Sequence, residues 1–219
     1  MPITGVKDEQ EDNDIRINVF CPAGFHGDPH LMKLVDIVAE RVTQFVETGT
    51  EAGSTVGYFA RMYPHVQCVT LEIDPGTFKT AAQNLANHDN IEMWNQNSLE
   101  YLQEKSEGLN ELTLFWLDSH SHGWGCDLGK EIAIILERWE SGYILLDDFE
   151  VPDRPDFEYD WYESYGKLNW ENVESDIPQE LKLNKIKQIV YPDYKPKFGE
   201  RGWAMIIFGD VEPMVGNFD

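Results

Sequence analysis

The sequence predicts an α/β domain built on a mostly parallel sheet with helices on both faces. Two observations carry that reading. Short apolar runs alternate with stretches of helical periodicity from residue 44 to residue 146, and strands that follow one another through helices pair in parallel. The chain then closes with two further strand-like runs, IKQIVY at 186 to 191 and GWAMIIF at 202 to 208. The intervening PDYKPKFGER is rich in turn residues, so these runs read as an antiparallel hairpin closing the sheet. With 219 residues, 42% of them hydrophobic, and seven tryptophans, the chain has enough apolar surface for one well-buried domain spanning 1–219.

Residues 1–24 form an acidic, polar leader with no apolar run. Asp28 is placed to cap a helix with Pro29 at its first position, and Leu31, Leu34, Val35, Val38 and Val42 recur at helical spacing behind it. Strands follow at 44 to 47, 67 to 73, 91 to 95, 112 to 117 and 143 to 146. Between them fall helices from 54, from 76, near 98 and over 127 to 139, the last carrying Leu128, Ile132, Ile135, Leu136 and Trp139 on one face. From 151 to 182 periodicity is lost in a segment dense in aromatics, acids and proline. A long irregular insert in a compact domain is usually functional or disordered, and its Trp and Tyr content argues for order.

A net charge of −23 opposes binding to nucleic-acid phosphates, so DNA and RNA are poor partners. No eighteen apolar residues run together and no signal-like apolar segment opens the chain, which predicts neither membrane insertion nor secretion. Cys21, Cys68 and Cys126 are odd in number and lack paired spacing; a reducing cytoplasm fits them better than a disulfide framework or a zinc site. Nothing in the chain resembles a coiled coil, and the oligomeric state is not written in it.

The stretch FVETGTEAGST, residues 45 to 55, joins a strand to a helix through Gly49 and Gly53, a turn that lets a ligand approach the backbone. VTLEID follows about twenty residues later, and Glu72 at its end can accept both hydrogen bonds of a ribose diol. The loop reads ExGxxxG where a diphosphate-binding turn reads GxGxxG, and the acid at Glu47 repels a diphosphate. S-adenosylmethionine carries a sulfonium and an ammonium and no phosphate, so it is the better match than NAD. Farther on, Asp118, Asp147 and Asp148 leave two strands at their carboxyl ends, the ligand-binding edge of such sheets. Three carboxylates gathered there call for a divalent cation such as Mg²⁺, Mn²⁺ or Ca²⁺. The alternative is that they cap helices and bond loop amides.

Taken in order, VETGTEAGST, VTLEIDP, NQNS, FWLDSH and YILLDDFEVP resemble class I S-adenosylmethionine-dependent methyltransferases, particularly bacterial small-molecule and sugar O-methyltransferases with Asp-x-His and Asp-Asp-Phe motifs. A more distant likeness is to the catechol O-methyltransferase group. The resemblance implies a Rossmann-like seven-stranded sheet whose last strand is antiparallel. It implies that Glu47, Gly49 and Gly53, with Thr50 and Thr55 beside them, meet the methionine end of the cofactor, Glu72 the ribose and Ser98 the adenine, with Asp118 adjoining. It also implies a cation, Mg²⁺ first, on Asp118, Asp147 and Asp148. Ser121 stands where the catechol-type pattern has lysine, so His120 is the expected proton acceptor and His122 its alternate.

The reaction so implied is metal-assisted O-methylation of a small-molecule or sugar hydroxyl, with the 151 to 182 insert over the acceptor site as a lid. Trp161, Tyr159, Tyr162 and Trp170 of the insert are available either to stack on the acceptor or only to pin the insert to the domain, and Arg154 and Arg201 are available for an anionic group. Its rivals are a metal-independent N- or carboxyl methyltransferase and a non-catalytic interaction protein of the same fold.

Overall fold

The computed structural model describes residues 24–104, 111–120, 125–197 and 199–214. Residues 1–23 of the acidic leader and His122 therefore lie outside the described residues. Five parallel strands, β1 (Gln44–Thr48), β2 (Gln67–Leu71), β3 (Ile91–Trp94), β4 (Thr113–Leu117) and β5 (Gly142–Leu146), form most of one sheet. The small hairpin β6 (Trp161–Tyr162) and β7 (Gly166–Lys167) stands apart, while β8 (Ile186–Val190) and β9 (Ala204–Phe208) complete the sheet in the order β3-β2-β1-β4-β5-β9-β8. β9 is antiparallel to both neighbours, so the terminal hairpin forms as its sequence predicts, with β9 inserted between β5 and β8.

Helices α1 (Pro29–Ala39), α2 (Ser54–Met62), α3 (Pro75–Asn84), α4 (Ser98–Glu104) and α5 (Leu128–Arg138) provide the flanking layers, with the short α6 (Trp170–Val173) and α7 (Gln179–Lys185) added after the insert. Asp28 caps α1 by accepting from the amides of His30 and Leu31, and Asp74 caps α3 by accepting from Thr77, each with proline at the next position. Every residue of β4, β5 and β9 is buried, the signature of a sheet covered on both faces. Alternate side chains divide between two cores: Phe45, Leu114, Trp116 and Tyr143 pack with α1 and α2, while Val46, Phe115, Leu117 and Ile144 pack with α4 and α5. None of the described helices is long and apolar enough to cross a membrane.

The insert packs against the domain through apolar and aromatic side chains. Tyr162, Leu168, Val173 and Ile177 are buried in the second core, and the amide of Asp160 donates to the carbonyl of Asp148 at 2.9 Å. Trp161, at 55% exposure, faces solvent instead.

Ahead of α1 the backbone makes a tight 3-10 turn, Phe25–Gly27, in which Phe25 and His26 both hold φ at +55°. That conformation is uncommon for residues with a Cβ and needs a compensating interaction. Phe25 supplies it, fully buried with its ring edge-on to Trp116 at 5.0 Å and near Phe45, Tyr58 and Phe59. Phe25→Ala should therefore cost about 3–5 kcal/mol in urea unfolding. A loss below about 1 kcal/mol would mean that the turn is held by something else.

Candidate functional site

The strand order reverses between β1 and β4, and loops leaving a sheet at such a point diverge to open a crevice. Gly49 follows β1 there with φ +91°, and a Cβ on it would lie 2.2 Å from the carbonyl oxygen of Asp118 at the end of β4. Glycine is required by that approach as much as by the turn. The crevice is a cleft of about 470 Å³, within the ordinary range for a small-molecule site.

Gly49, Glu72, Ser98 and Asp118 line this cleft, together with Glu51, Ile73, Asp74, Gln96, Asn97, Ser119, His120 and Asp127. Glu72 lies just beyond β2, where its two carboxylate oxygens accept from the amides of Glu51 (3.0 Å) and Asp74 (2.9 Å). Each oxygen retains a lone pair for a ligand. The cleft's acids are Glu51, Glu72, Asp74, Asp118 and Asp127, and among its described lining residues there is no lysine or arginine. Its electrostatics favour a cationic guest and oppose a phosphate.

At one end of the cleft the carboxylates of Asp118, Asp147 and Asp148 gather. Burial and the neighbouring Asp147 and Asp148 hold the Asp118 carboxyl well above the usual range. Burial and Asp147 push Asp148 up to about 6, against the opposing effect of Arg201, whose guanidinium Nε donates to Asp148 Oδ1. The same guanidinium donates through Nη2 to Asp160 of the insert. Asp148 sits at φ +50°, and its amide donates to Asp147 Oδ1 at 2.8 Å.

Asp147 is engaged by His26, whose Nε2 lies 2.7 and 2.8 Å from the two carboxylate oxygens. This hydrogen bond is the largest influence raising the His26 pKa. The His26 side chain is 44% exposed and lines a second cavity, about 160 Å³, with Asp147, Arg201 and Trp203. His120 occupies a different position, 8% exposed, its Nε2 3.9 Å from Asp118 Oδ1 and 4.0 Å from Asp148 Oδ2. Burial lowers its pKa, against the opposing effect of Asp147 and Asp160.

Two further acids lie beneath the cleft. Glu47 is buried and accepts from Thr70 Oγ1 at 2.5 Å, and burial pushes its pKa up to about 8. Thr50 is buried next to it, bonded to Thr70 at 2.6 Å. The acids facing the cleft are thus Glu51, Glu72, Asp74, Asp118 and Asp127, while Glu47, on which the sequence argument drew, does not line it. Glu131 of α5 is fully buried and accepts from Ser119 Oγ at 2.9 Å; its pKa is pushed up to about 7 by burial.

Gly53, at φ +83°, and Thr55 open α2 outside the cleft lining, where Gly53 has no room for a Cβ against Leu85 and Thr55 packs on Gly24. Of the three aspartates expected to share a cation, Asp118 and Asp148 converge with His120, while Asp147 and Asp148 converge with His26. His26 was not singled out by the sequence: its partner lies 121 residues away and no local pattern marks it. Glu131 was equally hidden, since its position on α5 reads only as a helical acid.

No family model matches the chain. Among curated proteins it is 23% identical over 162 residues to an FBD-associated F-box protein of Arabidopsis thaliana, a match spanning 66% of this chain and 40% of that protein. Solved structures with the same fold include the O-methyltransferase TomG of Streptomyces achromogenes, in complex with S-adenosylmethionine, at 15% identity and TM-score 0.54, covering 82% of this chain and 78% of that one. They also include the N-methyltransferase NodS of Bradyrhizobium japonicum, in complex with S-adenosylhomocysteine, at 13% identity and TM-score 0.52, covering 91% and 92%. The architecture is the class I methyltransferase fold, with the seven-stranded sheet and antiparallel β9 that the sequence resemblance implies.

Glu131 gives a stability prediction with a definite sign. Its folded pKa, about 7, exceeds the ordinary 4.5, so its contribution is fully present below about pH 4.5 and is lost as pH rises towards 7. Glu131→Gln removes that titration, leaving Glu47 unchanged. Relative to wild type, the variant should gain on the order of 1–3 kcal/mol between about pH 4 and pH 8.5 in chemical denaturation. Parallel pH profiles for the two proteins would show that Glu131 does not titrate as described.

Proposed function

We propose that the protein is an S-adenosylmethionine-dependent methyltransferase acting on a hydroxyl of a small molecule, a sugar among the candidates, with the help of a divalent cation. The observation that carries the reading is the cleft lining: five carboxylates, no lysine or arginine among the described residues, and Glu72 at the carboxyl end of β2. A sulfonium and an ammonium are stabilised there, whereas a dinucleotide would bring its phosphates against Glu51 and Asp74. Gly49 lets the cofactor approach the backbone, Glu72 accepts from the ribose hydroxyls, and Ser98 meets the base. Glu47, Thr50, Gly53 and Thr55 shape the turn from below and behind.

The acceptor belongs at the other end, between the carboxylate cluster and the cavity bounded by His26, Arg201 and Trp203. Asp118, His120 and Asp148 would hold the cation, which supplies Lewis acidity that lowers the pKa of an acceptor hydroxyl. His26 is the better-placed proton acceptor: with Nε2 on buried Asp147, its Nδ1 is left to take a proton. His120, given that role by the sequence, instead faces Asp118 and Asp148. Arg201 ties the insert to this edge through Asp148 and Asp160, so the segment over 158 to 162 covers the acceptor and excludes water.

The test is calorimetric titration with S-adenosylmethionine, followed by an acceptor screen with and without chelator. Wild type should bind the cofactor, and Glu72→Ala should bind it at least about tenfold more weakly, since charge-assisted hydrogen bonds contribute roughly 1.5–3 kcal/mol. His26→Ala should keep cofactor affinity while turnover falls about 10²-fold or more. Absence of cofactor binding by wild type would overturn the methyltransferase reading, and turnover indifferent to chelation would favour a metal-independent reaction.

A further inference from the structure

The donor set at the acidic edge carries an inference about which cation it takes. His120 is more than nine-tenths buried, and among the described residues neither ring nitrogen has a hydrogen-bond partner. Two unsatisfied buried nitrogens are costly unless something binds them. The Nε2 atom is 3.9 Å from Asp118 Oδ1 and 4.0 Å from Asp148 Oδ2, too far for a direct hydrogen bond to either. The donor atoms of Asp118, His120 and Asp148 all lie within 4.8 Å of one another, a cluster compact enough to hold one ion.

The chemistry of the set narrows the ion. Mg²⁺ and Ca²⁺ take oxygen ligands and gain affinity from the number of carboxylates around them. Here one of the converging donors is an imidazole, and the charge of Asp148 is already shared with the Arg201 guanidinium through Oδ1. Asp147 lies with His26, whose Nε2 is 2.7 and 2.8 Å from its carboxylate oxygens, and converges with His26 and Asp148, not with His120. A mixed nitrogen and oxygen set with reduced charge favours first-row transition ions over hard alkaline-earth ions. We propose that Asp118, His120 and Asp148 form a site for a transition-metal dication in the Mn²⁺ to Zn²⁺ series, with His120 as a ligand, in place of Mg²⁺ or Ca²⁺. The inference rests on the cation-assisted reading above and gives that reading its metal.

The experiment uses the full chain. CoCl₂ and MgCl₂ are titrated calorimetrically into wild type, His120→Ala and His120→Gln, with melting curves to confirm that each is folded, and Mn²⁺-loaded protein is examined by pulsed electron paramagnetic resonance for coupling to an imidazole ¹⁴N. Wild type should bind one Co²⁺ at least about 10²-fold more tightly than Mg²⁺, and its Mn²⁺ spectrum should show nitrogen coupling. Both His120 variants should lose that coupling and at least about tenfold in Co²⁺ affinity while Mg²⁺ affinity changes little. Wild-type Mn²⁺ without nitrogen coupling, or coupling that survives in both variants, would overturn the assignment, and it needs no folded variant to be read in wild type. S-adenosylmethionine titrated in the same series separates the two ideas. Nitrogen coupling without cofactor binding keeps the metal assignment and sinks methyl transfer, whereas methyl transfer supported by Mg²⁺ without nitrogen coupling does the reverse.

Discussion

Like charges at one edge of a sheet are the constraint to which the rest of this structure answers. Strands β4 and β5 are adjacent and parallel, so the acids that follow them, Asp118, Asp147 and Asp148, leave the sheet side by side. Carboxylates in that arrangement repel strongly when partly buried. The fold meets the repulsion from two directions. His26 reaches in from ahead of the first helix to Asp147, and Arg201 reaches back from the entry to β9 to Asp148. Elements distant in the chain are therefore positioned by one electrostatic problem, and the strained turn at Phe25 and His26 is tolerated because a buried ring anchors it next to that problem.

Most of the architecture could be read from the chain because its signals are local. Apolar runs bounded by turn residues mark β1 to β5, and Asp28-Pro29 and Asp74-Pro75 mark two helix starts through backbone chemistry that needs no tertiary context. The run 67 to 73 was too long by two residues because Glu72 and Ile73, apolar and acidic by turns, continue the strand pattern after the backbone has left the ladder to form the cleft wall. The small hairpin at Trp161 and Gly166 lies inside a segment whose sequence has no period, since its order comes from Tyr162 and Leu168 entering a core built by other elements.

The candidate site divides along the same line. Gly49, Glu72, Ser98 and Asp118 stand at strand and helix ends, where element prediction and ligand geometry coincide, and all four face the cleft. Glu47 stands within β1, two residues before Gly49, and the alternation of a buried strand sends its side chain towards Thr70 and not into the cleft. His26 and Glu131 act through partners that no window of sequence contains. Their chemistry becomes visible only when burial and distance are known, because an acid on a helix and a histidine in a loop are ordinary until a neighbour makes them otherwise.

Arg201 has two allegiances. One guanidinium grips both Asp148, at the acidic edge, and Asp160, in the insert. The insert and the acidic edge are consequently not independent parts. A change in descent that shifted the segment at 158 to 162 would alter the charge felt by Asp148, and a change in the acidic edge would release that segment. The path of the insert and the acid chemistry of the edge are bound to diversify together in chains that keep this arginine, and to separate in those that lose it.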